Sequence, residues 1–389
     1  MCCRQMRSDF DAIFKLGSLL GISITHDYDG KEDIPKVKEN FFKKVYDVVI
    51  NLVALFSLVV TILFAHNFTF SKAMTLTYAV QYLAAFLIRC YLIWGNNKIP
   101  KVIKTLSNLY ENVSSSVYRS LKVSIYIQCV AFLLLNAIAT SLTCLNGFYE
   151  TRVQDAQFLT LFGHNITMKN SSFNTIPLLV VSYVANYTLS YFTITISIMC
   201  CCNVHLILRR LIVFYGEALC DSLKKECTKE SFSENFTLFR KIIFGLNEAD
   251  DALSFIVFFT YVTCISCFLN SLSAFFNLED SSKTPFSAVE ITFSFLYSVA
   301  IFFTITCSAA EVSTAGDRLK QRILCVSDCI LNKNLPNDTL LSFMVMMDNI
   351  KSSNMSLTGW GMFTITRGFV LTTVGVVITY GVLLFQFAT

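Results

Sequence analysis

Seven long apolar runs dominate this chain, at residues 46–66, 74–95, 123–147, 176–204, 252–277, 287–310 and 367–388. Each is long enough to cross a bilayer, which takes about 20 residues of helix. In hydrocarbon every backbone N–H and C=O must be satisfied internally, so each run is predicted to be a transmembrane helix. A membrane barrel would need short alternating segments instead. Hydrophobic residues make up 54% of the 389 and charged residues only 15%, where a soluble domain carries about a quarter charged. The expected class is an all-α, multi-pass membrane protein.

Lys and Arg set the orientation. Of the 31, 26 lie in the N-terminal 45 residues and in the links after runs two, four and six, and 4 lie in the alternate links. Arg89, near the inner end of the second run, is the remaining one. The N-terminus is therefore expected in the cytoplasm and the C-terminus outside. The sequons at Asn67, Asn165 and Asn170 fall in the links expected to face outward, as glycosylation requires. A similar tripeptide at Asn235 falls inside, so the sequons support the orientation without fixing it. The beginning of the chain does not read as a secretory signal, because Asp9 and Asp11 interrupt it. The stretch FDAIFKLGSLLGISI reads as a short amphipathic helix at the cytoplasmic surface.

Function classes narrow quickly. Fifteen cysteines are scattered, mostly within apolar runs, and four histidines are dispersed. Buried cysteines are ordinarily small apolar filler. There is no nucleophile–base set, no metal cluster and no cofactor motif, so neither an enzyme nor a nucleic-acid partner is expected. None of the five prolines sits mid-run. A secondary transporter generally needs broken helices and internal repeats. An N-terminus inside is the reverse of a G-protein-coupled receptor, and DRY and NPxxY are missing from the expected places.

The final run carries the sharpest signal. From Gly368 onward it has no charged side chain, yet Thr372, Thr379 and Gln386 recur every seven residues. Seven residues turn a helix through about 700°, some 20° short of two turns, so the three form one stripe beside Val376 and Leu383. Thr373, Tyr380 and Phe387 form a second stripe about 100° away. A polar stripe on an apolar helix must face water or a hydrogen-bonding neighbour. Contact with the rest of its own bundle, with each Thr bonding its own preceding turn, is one solution. A symmetric oligomer lining a narrow pore is another.

The stretch TYGVLLFQF resembles the TYhhhhhQF signature of insect gustatory receptors, with Thr379, Tyr380, Gln386 and Phe387 at the signature positions. The preceding GWGMFTITRGFVLTTVGVVI is similar to that family's run into its seventh helix, including Phe363 and Arg367. The residue-level resemblance covers the end of the chain from Gly359. The topology, the length and a chain that stops just after the motif fit over its whole extent. The resemblance implies a plasma-membrane, ligand-gated, non-selective cation channel, homotetrameric or heteromeric with other gustatory receptors, with small tastants as ligands and Na⁺, K⁺ and Ca²⁺ passing. It implies that the seventh helices line a central pore, that Thr372, Thr379, Tyr380 and Leu383 lie along it, and that Gln386 and Phe387 lie at or near the gate. It also implies a division into a cytoplasmic segment (1–45), helices one to six with a ligand pocket in their outer half (46–310), a cytoplasmic anchor (311–366) and a pore helix (367–389). Two departures from the family's pattern stand out. Thr366 stands where an acid or amide is common, and Gly381 where many sugar receptors carry Glu; the latter argues against a sugar receptor, so bitter or other non-sugar plant compounds are expected. A metabotropic seven-helix receptor and a transporter are the alternatives.

For a ligand pocket, polar and aromatic groups on otherwise apolar runs are the candidates: Tyr78, Gln81 and Tyr82, Asn136 and Thr140, Tyr183, Asn186 and Tyr187, Asn270, Glu290 and Tyr297. Aromatic walls suit a small, partly apolar compound. Each aromatic is equally a packing residue, and Glu290 lies where water could solvate it. In the last cytoplasmic link, LLSFMVMMDNI reads as an amphipathic stretch whose Met344, Val345 and Met347 are expected to pack between subunits.

Overall fold

A computed structural model describes residues 2–22, 41–67, 72–95, 98–113, 122–153, 158–161, 164–167, 175–225, 228–276, 285–331 and 336–388. Its elements are α1 (Cys2–Leu19), α2 (Phe41–Asn67), α3 (Lys72–Trp94), α4 (Lys98–Val113), α5 (Lys122–Val153), β1 (Phe158–Leu161), β2 (His164–Thr167), α6 (Thr175–Lys225), α7 (Lys229–Phe276), α8 (Pro285–Leu331), α9 (Asn337–Ser352), β3 (Thr358–Gly359), β4 (Phe363–Thr364) and α10 (Arg367–Ala388). Each of the seven apolar runs lies within, or within a residue of, one helix: α2, α3, α5, α6, α7, α8 and α10. Two antiparallel ribbons join them, β1 with β2 and β3 with β4.

Three helices far outrun a membrane. α6, α7 and α8 have 51, 48 and 47 residues, about 70–77 Å each at 1.5 Å per residue, against a hydrocarbon core of about 30 Å. The apolar part of each crosses and the charged part projects. α6 and α8 run parallel and keep one register throughout. Tyr191 meets Ser294, Thr195 meets Tyr297, His205 meets Ser308 and Arg209 meets Glu311, always 102 or 103 residues apart. α7 runs antiparallel and packs on α3, α8 and α6.

The basic link after the second run contains a helix that reading by charge alone does not reveal. In α4, Ile99, Val102, Ile103, Leu106, Leu109 and Tyr110 are buried, and Lys101 and Lys104 are exposed. That is a 3–4 spacing, and it lays α4 against α7, α1 and α6. Lys98 and Lys101 reach Asp251 and Glu248 on α7, at 3.2 and 2.8 Å.

α1 is helical as expected but packs into the bundle instead of lying free on its surface. Phe10, Ile13, Phe14 and Ile22 are buried against the core. Its end is a Schellman turn: Ile22 N–H donates to Gly17 O, Gly21 N–H donates to Ser18 O, and Gly21 holds φ +72°. The remaining carbonyls are capped from other helices. Tyr46 donates to Leu19 O at 2.5 Å, Asn51 to Gly21 O at 3.2 Å, and Arg89 to Leu20 O. The Arg89 guanidinium, 2% exposed, also donates to Asn51 Oδ1 at 2.7 Å and Thr193 Oγ1 at 3.3 Å. A buried cation is costly without such partners. Here it meets the negative end of a helix dipole.

Candidate functional site

α10 rests on the bundle by one narrow stripe. Thr373 and Gly381 are buried, and Phe369, Val370 and Val377 are partly buried, against α7 and α8. Gly381 faces Leu272 of α7. Among the described side chains, the rest of the helix is uncovered by its own chain. Thr372, Thr379, Gln386, Tyr380 and Leu383 are exposed, and so are Leu371, Val374, Val376, Ile378 and Val382. The heptad stripe thus faces away from the bundle. The two stripes expected from periodicity differ: Thr373 of the second turns inward, while Tyr380 does not. Of the first expected solution only the bonding of each threonine to its own preceding turn is present, without the contact to the bundle. Thr372 donates to Gly368 O at 3.3 Å and Thr379 to Gly375 O at 2.8 Å, which leaves their oxygens as acceptors on the exposed face. The side chain of Phe387 lies outside the described residues.

A three-residue turn launches α10. Thr358 pairs with Thr364 and Gly359 with Phe363, and Trp360 and Gly361 take positive φ of +49° and +66°. A Cβ at Gly359 would overlap the Phe363 ring. That ring stacks on Phe369, the third residue of α10, at 4.7 Å and 5°. Tyr261 of α7 closes on both rings, at 5.8 and 5.1 Å. Asp250 of α7 accepts two hydrogen bonds from Thr358. Trp360 N–H donates to Ser254 O, and its indole lies among Phe255, Phe258 and Phe259. The hairpin makes the start of α10 an extension of α7.

Within the bundle, the expected pocket residues divide. Gln81, Asn136, Asn270 and Tyr297 are buried and take part in polar contacts between helices. Thr77 and Gln81 of α3 bond Asn270 of α7. One turn away, Cys267 bonds Ser294 of α8 at 3.2 Å, and Ser294 meets Tyr191 of α6 at 3.4 Å. Tyr191 packs on Tyr297 at 5.4 Å, whose hydroxyl meets Thr195 at 2.9 Å, and Thr195 accepts from Asn136 of α5 at 2.9 Å. Five helices are thereby linked through hydroxyls, amides and one thiol. Asn136 Oδ1 is buried without a hydrogen-bond partner. Tyr82 is also buried and lines a small crevice with Arg89 between α2, α3 and α6. Reading one helix at a time missed Thr77, Tyr191, Thr195, Cys267 and Ser294. Small hydroxyls on an apolar run give no signal until their partners are known. The side chains of Tyr78, Thr140, Tyr183, Asn186, Tyr187 and Glu290, and those of the sequon residues Asn67 and Asn165, lie outside the described ones. Asn170 lies outside the described residues altogether.

The link expected in the cytoplasm contains α9, which buries Thr339, Phe343, Met346 and Ile350 on α7 and α8. Its other side shows Leu341, Met344 and Val345. Met347 is partly buried, so it divides from the other two residues expected at a subunit contact.

Residues 12–389 match the family described as 7tm Chemosensory receptor. The fold is similar to the structure of the insect olfactory receptor OR5 from Machilis hrabei in complex with eugenol. The TM-score is 0.75 at 14% identity, over 99% of this chain and 100% of that one. The structure of OR5 described without eugenol gives 0.74 at 12% identity, with the same coverage. No curated protein sequence matches the chain.

Proposed function

Because this chain belongs to the 7tm chemosensory receptor family, a family of multi-pass membrane receptors and not of enzymes, we propose that it is a gustatory receptor working as a ligand-gated, non-selective cation channel. The observation that carries the reading is the uncovered heptad stripe of α10. Thr372, Thr379 and Gln386 all face away from their own bundle. The acceptor oxygens of Thr372 and Thr379 and the polar end of Gln386 suit water better than lipid, and a shared axis supplies that water. Four copies, alike or mixed with related receptors, set the stripes around one aqueous path. The C-terminal carbonyls of four helices then draw cations without any acidic side chain.

The ligand reading rests on Tyr191, Tyr297, Asn136 and their neighbours. They form an aromatic and polar patch inside apolar helices, suited to a small, partly apolar compound. OR5 binds eugenol, a small odorant, so volatile phenols join alkaloids and other non-sugar plant compounds as candidates. Gly381 in place of an acid makes sugars the poorer candidates.

The test is expression of the chain alone in cells, with currents recorded during a panel of sugars, alkaloids and phenols. A ligand-evoked cation current that persists with G-protein signalling blocked is expected. Responses that vanish with that block, or an epitope after Thr389 that stays hidden on intact cells, would overturn the channel reading.

A further inference from the structure

We infer that the β3–β4 hairpin is an interfacial membrane anchor, whose Trp360 and Met362 seat in the headgroup–acyl boundary of the leaflet on the Lys/Arg-rich side. The inference rests on membrane insertion and not on channel activity.

Three elements fix the depth of the hairpin independently. It docks on α7 where Glu248, Asp250 and Asp251 give way to a stretch without charge, from Ala252 to Phe276. It feeds α10, which carries no charge after Arg367. It also lies beside the end of α3, where Tyr91 stacks on Phe255 at 4.7 Å and Phe255 meets Trp360 at 5.5 Å. All three pass from polar to apolar at this level.

The chain has only two tryptophans, and both are found here. Trp94, one turn beyond Tyr91 at the end of α3, is 85% exposed, and Trp360 is 52% exposed. Indoles are enriched at membrane–water interfaces, where an apolar body and a polar N–H are both accommodated. Met362, beside Trp360, is 69% exposed. The tip from Trp360 to Phe363 has no charge, while Arg367, four residues beyond it, supplies a cation suited to lipid phosphates. Further along α10, Leu371 and Val374 are exposed as well.

The backbone conforms to this use. Trp360 sits at φ +49°, where Gly or Asn fits with less strain. A large indole there serves the turn poorly and the interface well. The membrane boundary is then held rigidly to α10 through Phe363 and Phe369.

Single-tryptophan fluorescence tests this on the full chain in lipid nanodiscs. The Trp94→Phe variant leaves Trp360 as the only indole. Phospholipid brominated high on the acyl chain is expected to remove most of its emission. Bromine near the chain tail is expected to remove less, and aqueous iodide little. Strong iodide quenching without bromolipid quenching would place the tip in water. Protection from both would mean that a second copy or another part of the protein covers it. Either result overturns the anchor. Should Trp94→Phe fail to fold, the difference in quenching between wild type and Trp360→Phe reads the same residue.

Discussion

Asp250 holds Thr358 by both oxygens: the Thr358 backbone N–H donates to Oδ1 and its hydroxyl to Oδ2, each at 2.7 Å. The two residues are 108 positions apart, and the pair bolts the hairpin before α10 to the boundary turn of α7. Burial raises the Asp250 carboxyl above its ordinary range, and the two bonds from Thr358 pull the other way.

Thr358→Val keeps the backbone bond and deletes the side-chain one. Thermal unfolding in detergent is expected to show a loss of about 1.5 kcal/mol, typical of a hydrogen bond to a charged group. A raised carboxyl means the native state takes up a proton more readily than the unfolded chain. That contribution is present below the ordinary carboxylate value and lost as pH rises through the raised one. Relative to Asp250→Asn, wild type should therefore gain stability from neutral to mildly acidic pH. A pH-independent difference would mean that burial does not govern this group.

Arg89 is expected to be irreplaceable by Lys. Its partners Asn51, Thr193 and Leu20 lie in three directions on three elements, which a planar fork reaches and a single ammonium does not. Arg89→Lys should lower stability by about 2 kcal/mol, on the scale of charged hydrogen bonds. Arg89→Leu should lower it further, with α1 released to proteolysis. Unchanged protease protection of α1 in Arg89→Leu would show that the cap does not hold the helix.

The exposed side of α9 separates assembly from folding. Met344→Ser with Val345→Ser is expected to shift the protein to smaller species on a native gel while leaving its thermal midpoint nearly unchanged. Phe343→Ser on the buried side should instead lower the midpoint by about 3 kcal/mol equivalent. If the exposed pair leaves oligomer size intact, α9 is not a subunit contact.

Gln386→Ala is expected to alter gating or conductance, and Phe387→Ala to raise ligand-free current. An aromatic ring can close a narrow pore by dewetting it. Na⁺ and K⁺ should pass about equally, since no rigid ligand ring strips their hydration. Phe387→Ala channels that reach the surface with wild-type basal and evoked currents, alongside wild-type behaviour of Gln386→Ala, would falsify this placement.

Arg209 and Glu311 make a 2.6 Å ion pair whose side chains are 41% and 44% exposed. A double-mutant cycle on unfolding should give a coupling of about 1 kcal/mol or less, as partly solvated pairs do. A larger value would show that neighbouring subunits bury the pair.

The sequence and the structure agree where the physics is local. Length and hydropathy delimit the membrane helices, and heptad spacing identifies the stripe of α10, because both depend on residues a few positions apart. The 3–4 spacing of Ile99, Val102, Ile103 and Leu106 encodes α4, but the lysines between them give the segment the charge of an ordinary basic link. The cap on α1 was not legible, because Arg89 meets groups 38, 69 and 104 residues away. The polar path through Cys267, Ser294 and Tyr191 was hidden for the same reason. The β3–β4 hairpin depends on a tryptophan in a backbone conformation that no propensity favours.

Two rods bonded at a fixed offset act as a laminated beam. From Tyr191 to Arg209, α6 advances about 27 Å while its step relative to α8 stays at 102 or 103 residues. Bonds at that constant offset oppose sliding of either rod on the other, so the pair resists bending more than either alone. A push at Tyr297 therefore arrives at Glu311 as displacement or rotation of the whole beam, with little lost to flexure on the way.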